Sequence, residues 1–355
     1  MQRLLSITLA AALGAALPGL STFAQAPSGS DPGEGSWRPV AWDAEGPDAR
    51  EHGAVIQLAG RTFVFGGSGY EPQLRPLDDL WELDAERATW VRREALGDVP
   101  GGGGSRRVAG AVGANTALLF GGYDAAMAPN AELFRAELDG DALRFTRVDQ
   151  RNAPAPRFLH AFVHDAAHQR YVLFGGVGEA VYGDLWTMQL EDGVAVWRAH
   201  ELEDAPSPRY GFAHGMDAAL AQLVVFGGAD ERFGSVSPRD TWTLHLEDDE
   251  PWWELLTEGT DFGTPPERRN PCFTYDDANA RLYVFGGTAN GASVLPGIHV
   301  FDADPDVLEW TSVDTPEGVR DRASGMGFVT PGGRVWLGFG NGVSGAFRDV
   351  AVLGD

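Results

Sequence analysis

Arginine is the residue type whose placement in this chain carries chemistry. Lys and Arg together number 27, and every one is Arg, so lysine-type Schiff-base chemistry is excluded. Six arginines recur at one place in a repeated pattern: Arg50, Arg107, Arg157, Arg209, Arg268 and Arg322. Four of them, Arg157, Arg209, Arg268 and Arg322, precede Gly175, Gly227, Gly286 and Gly340 by 18 residues; Arg50 precedes Gly66 by 16 and Arg107 precedes Gly121 by 14. Arg106 and Arg269 leave the register open in two copies. Six guanidinium forks at one mouth would match a carboxylate, sulfate or phosphate. The competing reading is internal pairing, the ordinary fate of partly buried arginine, because Asp79, Glu132, Asp184, Asp240 and Asp349 recur nearby. Gly297 replaces the acid in the fifth copy. Arg268, or Arg269 if the register shifts, is therefore the leading candidate for ligand contact.

Other reactive residue types give less. His160, His164 and His168 are spaced by four, which on a strand separates neighbours by about 13 Å, too far to share an ion at bonds of about 2 Å. No metal site and no cofactor is expected. His52 and His214 read as inner-strand core residues. The lone cysteine, Cys272, excludes an intramolecular disulfide and reads as a small buried hydrophobe. There is no G-x-S-x-G elbow or Walker loop, and Gly101 to Gly104 lack a following lysine and read as a linker. No catalytic residue stands out, so a binding protein is the leading reading over an enzyme.

The elements that would position the arginines repeat along the chain. Apolar runs end at Phe65-Gly66-Gly67, Phe120-Gly121-Gly122, Phe174-Gly175-Gly176, Phe226-Gly227-Gly228 and Phe285-Gly286-Gly287, with Phe339-Gly340-Asn341 as a sixth copy in which Asn341 would take the left-handed conformation. Each copy reads as four strands. The first begins at the arginine, and Asp-led turns at Asp165, Asp217 and Asp276 lead into the second. The third follows an acid, as in Asp79-Leu80-Trp81 and Asp184-Leu185-Trp186. The fourth opens on an aromatic: Trp90, Phe145, Trp197, Trp252 or Trp253, and Trp310. The last copy lacks its fourth strand, and Trp37 is unassigned. Residues 36–42 are therefore expected to complete the sixth blade and close the ring.

A period near 50 residues with several strands per unit indicates a radial array. The glycine corners, Asp-Leu-Trp strands and fourth-strand tryptophans resemble the kelch-repeat family of β-propellers, and its exported bacterial members in particular, over residues 36–355. The resemblance implies an all-β, six-bladed kelch-type propeller of four-stranded antiparallel blades. Activity does not travel with that fold. Exported sialic-acid mutarotases and galactose oxidase are enzymatic relatives by resemblance, but no motif of theirs matches residue for residue.

The loops after the corners share a face with the arginines and differ in composition. Tyr70, Tyr123, Tyr182 and Phe233 lie in them and would stack on a sugar or anchor a peptide, unless they tuck back onto their blades. At the start of the chain, Arg3, the apolar run Leu4 to Leu17 and the small residues before Ala24 and Ala26 have the layout of a signal peptide. Cleavage is expected after Ala24, or after Ala26, followed by a flexible tract over 27–35. Secreted or periplasmic location is expected, with no membrane span after cleavage. Net charge is −24, which disfavours nucleic acid as a partner. The expected ligand is a protein or glycan bound on one propeller face; the alternative is an enzyme acting on an acidic sugar at the channel mouth.

Overall fold

Apolar alternation, broken by residues that tolerate positive φ, cuts the chain into short strands. The computed structural model describes residues 37–40, 45–69, 75–101, 115–124, 126, 128–230, 238–246, 250–260, 263–289, 291, 293–342 and 345–353, and the backbone of 108–112. Blade 1 comprises Ala54–Leu58, Arg61–Phe65, Leu80–Asp84 and Thr89–Arg93. Blade 2 comprises Val108–Val112, Thr116–Phe120, Leu133–Asp139 and Ala142–Arg147. Blade 3 uses Ala161–Asp165, Arg170–Phe174, Leu185–Glu191 and Val194–His200, and blade 4 uses Ala213–Asp217, Gln222–Phe226, Thr241–His245 and Trp252–Thr257. Blade 5 is Cys272–Asp276, Arg281–Phe285, Ile298–Asp302 and Glu309–Val313. Blade 6 takes Met326–Val329, Val335–Gly338 and Val350–Leu353 from the end of the chain and Arg38–Val40 from its beginning.

That last pairing closes the ring. Arg38, Pro39 and Val40 lie antiparallel to Val352, Ala351 and Val350, and the six inner strands neighbour one another in a complete cycle. The four-stranded plan holds in every blade, with one addition that alternation did not reveal. The linkers entering blades 2 and 3 add short fifth strands, Ala95–Gly97 and Gln150–Arg151, parallel to the outer strands.

Aromatic contacts fix one blade against the next. Phe65 meets Phe145 at 4.9 Å between ring centroids, Phe120 meets Trp197 at 4.9 Å, Phe174 meets Trp253 at 4.7 Å and Phe226 meets Trp310 at 4.5 Å. Trp253, not Trp252, is therefore the packing tryptophan of blade 4. Trp37 packs on the cluster holding Phe285 and supplies the sixth aromatic.

Blade 6 departs from the expected corner. Gly338 pairs with Met326 as Phe65 pairs with Ala54, so its corner is Phe339-Gly340, at φ 57° and 81°, one residue earlier than the sequence pattern suggests. Asn341 is not left-handed; it bridges Ala323, as Ser68 bridges Glu51. Gly338 cannot carry the usual ring, because a Cβ there would lie 1.8 Å from Val350 Cγ1. The next residue, Phe339, supplies it instead, reaching Trp90 at 5.9 Å at the cost of an unfavourable φ.

Candidate functional site

Among the described candidates, each arginine stands four residues ahead of its inner strand: Arg50 before Ala54, Arg157 before Ala161, Arg209 before Ala213, Arg268 before Cys272 and Arg322 before Met326. Arg107, Tyr70 and Phe233 lie outside the described residues. So do residues 1–36, with the expected signal peptide and flexible tract, and Gly102 to Gly104.

The described arginines do not form a free positive ring. All five are enclosed, with 0–1% of their surface exposed. Arg50 donates to both carboxylate oxygens of Asp79 at 2.7 and 2.8 Å, Arg157 to Asp184 at 2.6 and 2.9 Å, and Arg209 to Asp240 at 2.7 and 3.0 Å. Arg322 reaches Asp349 at 2.6 Å, with Arg320 on the other oxygen. Trp81, Trp186 and Trp242 donate their indole N–H groups to the same acids. Burial alone would raise Asp79 and Asp184, but the hydrogen bonds and charge of Arg50 and Arg157 outweigh it and hold both below the usual carboxylate range.

The backbone of these arginines also joins the blades. The second corner residue of one blade donates its N–H to the arginine carbonyl of the next: Gly122 to Arg157, Gly176 to Arg209, Gly228 to Arg268, Gly287 to Arg322, and Gly340 to Arg50 at 2.7 Å. Anion capture by these guanidinium groups is thus corrected. Their forks are spent on the scaffold, and an acidic sugar finds no exposed arginine among them.

Arg268 is enclosed like the rest. In place of an acid it donates to Gly286 O, Pro266 O and His299 Nε2, the last at 3.0 Å. His299 occupies the position that Trp81, Trp186 and Trp242 hold in their blades. Burial, with Arg239 nearby, lowers Arg268 to about 10; burial and then Arg268 lower His299 to about 3. The imidazole is therefore neutral and accepts through Nε2.

The rim aromatics are also committed. Tyr123 is 2% exposed, its hydroxyl 2.6 Å from Ser68 Oγ and its ring edge-on to Phe158. The Arg157 guanidinium lies over the Tyr182 ring at 4.1 Å. Tyr123 therefore packs inside the fold, while Tyr182 is half-buried with one ring face against Arg157.

The geometry brings a different set together at the channel. The second residue after each described arginine is left-handed: His52, Leu159, Gly211, Asn270 and Ser324 have φ between 50° and 63°. Their peptides join in one rotational sense, His52 N–H to Ser324 O, Ser324 to Asn270, Asn270 to Gly211 and Gly211 to Leu159, at 2.6–3.0 Å. Against this ring lies a cavity of about 180 Å³ whose wall includes His52, His160, His214, Asn270, Phe212 and Phe273. His160 is 1% exposed, and neither ring nitrogen makes a hydrogen bond among the described residues. Burial lowers His160 well below the ordinary imidazole range, with Arg157 adding, and lowers His214 to about 4. His164 instead lies against Tyr171, and His168 bonds Asp165. The signal available in the sequence was a histidine opening an inner strand, but nothing in it showed that the side chain faces the axis.

The sequence comparisons agree with this geometry. Residues 30–198 and 195–354 match the KLHDC2/KLHL20/DRC7 Kelch-repeats domain. The chain belongs to the kelch-repeat family. It is 25% identical to Adagio protein 3 of Arabidopsis thaliana over 277 residues, which is 74% of this chain and 42% of that protein. It is 22% identical to Adagio-like protein 1 of Oryza sativa subsp. japonica over 293 residues, 79% of this chain and 45% of the other. The mouse (Mus musculus) Rab9 effector protein with kelch motifs is 28% identical over 202 residues, 54% of this chain and 50% of that protein. The kelch chain thus spans half or less of the length of these relatives.

Proposed function

We propose that this kelch propeller is a protein-interaction module that presents the loop-bearing face around its channel mouth. The observation that carries the reading is a repeated backbone with unlike side chains. At equivalent positions Glu51 bridges Ser68, Phe158 bridges Val177, Tyr210 bridges Ala229, Arg269 bridges Thr288 and Ala323 bridges Asn341. Of these, Glu51 is 3% exposed and accepts from Asn341 Nδ2 inside the fold. The half-buried Phe158 and Arg269 are held in fixed places on this face, and unlike side chains on one rigid frame favour recognition of one partner over reaction chemistry. The name of the Rab9 effector relative supports a protein as the ligand. A photocrosslinking residue at exposed Glu179, on this face, should capture a partner that the same residue at Ala166, on the opposite hairpin, does not; equal capture would sink the reading.

A sugar is the second reading, favoured by the channel cavity, where Phe212 and Phe273 stand among imidazole and amide groups. Because the described arginines are enclosed and burial keeps His160 and His214 neutral, a neutral sugar suits it better than an acidic one. Thermal stabilisation by neutral hexoses, lost in Phe212→Ala, would support it. Export directed by residues 1–24 or 1–26 is part of the same proposal. Its check is mass spectrometry of protein expressed with its leader, the expected mature chain beginning at Gln25 or Pro27.

A further inference from the structure

The outer edge of blade 4 carries the chain's most exposed tryptophan among the described residues, and the packing of the fold does not use it. Trp252 is 49% exposed and Leu255 40%, both on Trp252–Thr257. Trp252 is held in place: its ring lies flat on His245, 3.9 Å between centroids and 5° between planes, and His245 Nε2 is 2.8 Å from Glu254 Oε2. A large apolar side chain fixed outward on an edge strand is a template for strand addition.

This chain itself shows what such an edge accepts. In blades 2 and 3 the incoming linker lies along the outer strand as a parallel fifth strand. In blade 4 the linker 201–208 makes no backbone hydrogen bond to Trp252–Thr257 among the described residues. The open length is short. The ladder to Thr241–His245 slips between Thr241 and Trp242, a bulge that ends regular pairing beyond Leu255.

Charge selects the occupant. Glu250, Glu254 and Glu258 are exposed on and beside this strand, no arginine lies between them, and the chain carries a net −24. A second copy of such an acidic chain would be repelled. We infer that the outer edge of blade 4 binds a basic, extended segment of a partner protein, added parallel to Trp252–Leu255 as a fifth strand with an apolar side chain against Trp252. The inference rests on the protein-interaction reading, but it places a contact away from the loop-bearing face.

The test uses a fluorescein-labelled peptide of alternating arginine and valine, read by fluorescence polarisation at low and high salt. Wild-type protein should bind it with its valines on the Trp252 face, and Trp252→Ala should weaken binding at least about tenfold. Leu255→Ser, on the opposite face of the strand, should weaken it less. Neither variant changes the charge, so binding by charge alone would survive Trp252→Ala and overturn the proposal. Equal binding of a glutamate-valine peptide, or of the arginine peptide with N-methylated backbone, would also overturn it. So would a wild-type dimer in sedimentation that Leu255→Ser dissociates, since the occupant would then be a second copy. Loss of peptide binding with Glu179 crosslinking intact would remove the edge site alone and leave the loop-face reading standing.

Discussion

Arg50 and Arg268 occupy equivalent places, one against a carboxylate and the other against neutral acceptors. Replacing Arg50 with Met leaves Asp79 enclosed without its counter-charge, which costs about 3–5 kcal/mol. Replacing Arg268 with Met leaves two carbonyls and a neutral imidazole, and the expected loss is smaller, about 1–3 kcal/mol; urea denaturation of the two variants measures the contrast. Acid should weaken the fold in two stages. His160, His214 and His299 are depressed below their unfolded value of about 6.5, so the unfolded chain binds more protons below that pH. Stability is full above about pH 6.5 and declines as pH falls toward 4, by up to about 1.4 kcal/mol per unit for each histidine. Asp79, Asp184 and Asp349 are depressed acids, and their contribution is lost only below about pH 4. Melting curves from pH 7 to 4 should show the first stage, reduced in His160→Asn. Much of this scale was legible: the arginine-acid spacing showed which charges were available to pair. Burial was not, because whether a fork faces the axis or its own blade depends on the twist of strands that spacing does not encode.

At the scale of the strand and corner, the repeated phenylalanine, glycine pair and fourth-strand tryptophan were readable because each does one local job. The sixth corner was misplaced by one residue because Phe339-Gly340 imitates the Phe-Gly of the other copies, while its phenylalanine stands where they carry a first glycine. Only the register of Gly338 on Met326 and the contact with Trp90 reveal the exchange. Phe339→Ala should lose about 3 kcal/mol in denaturant unfolding from the emptied slot. The double change Gly338→Phe with Phe339→Gly restores the usual pattern but meets Val350. It should therefore be less stable than the original, and Val350→Ala should partly rescue it.

The whole molecule is closed by three residues from one end of the chain laid on four from the other. Trp37 made that closure foreseeable, since one blade lacked an aromatic and one aromatic lacked a blade. Removing residues 36–42 should lower the melting midpoint on the order of 10 °C, through loss of the last strand and the Trp37 contact. Unchanged melting would sink the role given to that strand. The channel wall was the least legible part of the molecule, because it is assembled from one short segment of each blade, and no segment contains the others' chemistry. The peptides at its mouth have one further consequence. A helix end aims its dipoles along an axis and attracts ions of one sign, whereas here the joined N–H and C=O groups of His52, Ser324, Asn270, Gly211 and Leu159 point around the axis. Tangential dipoles largely cancel along the bore, so these joined peptides themselves favour an ion of neither sign on the axis.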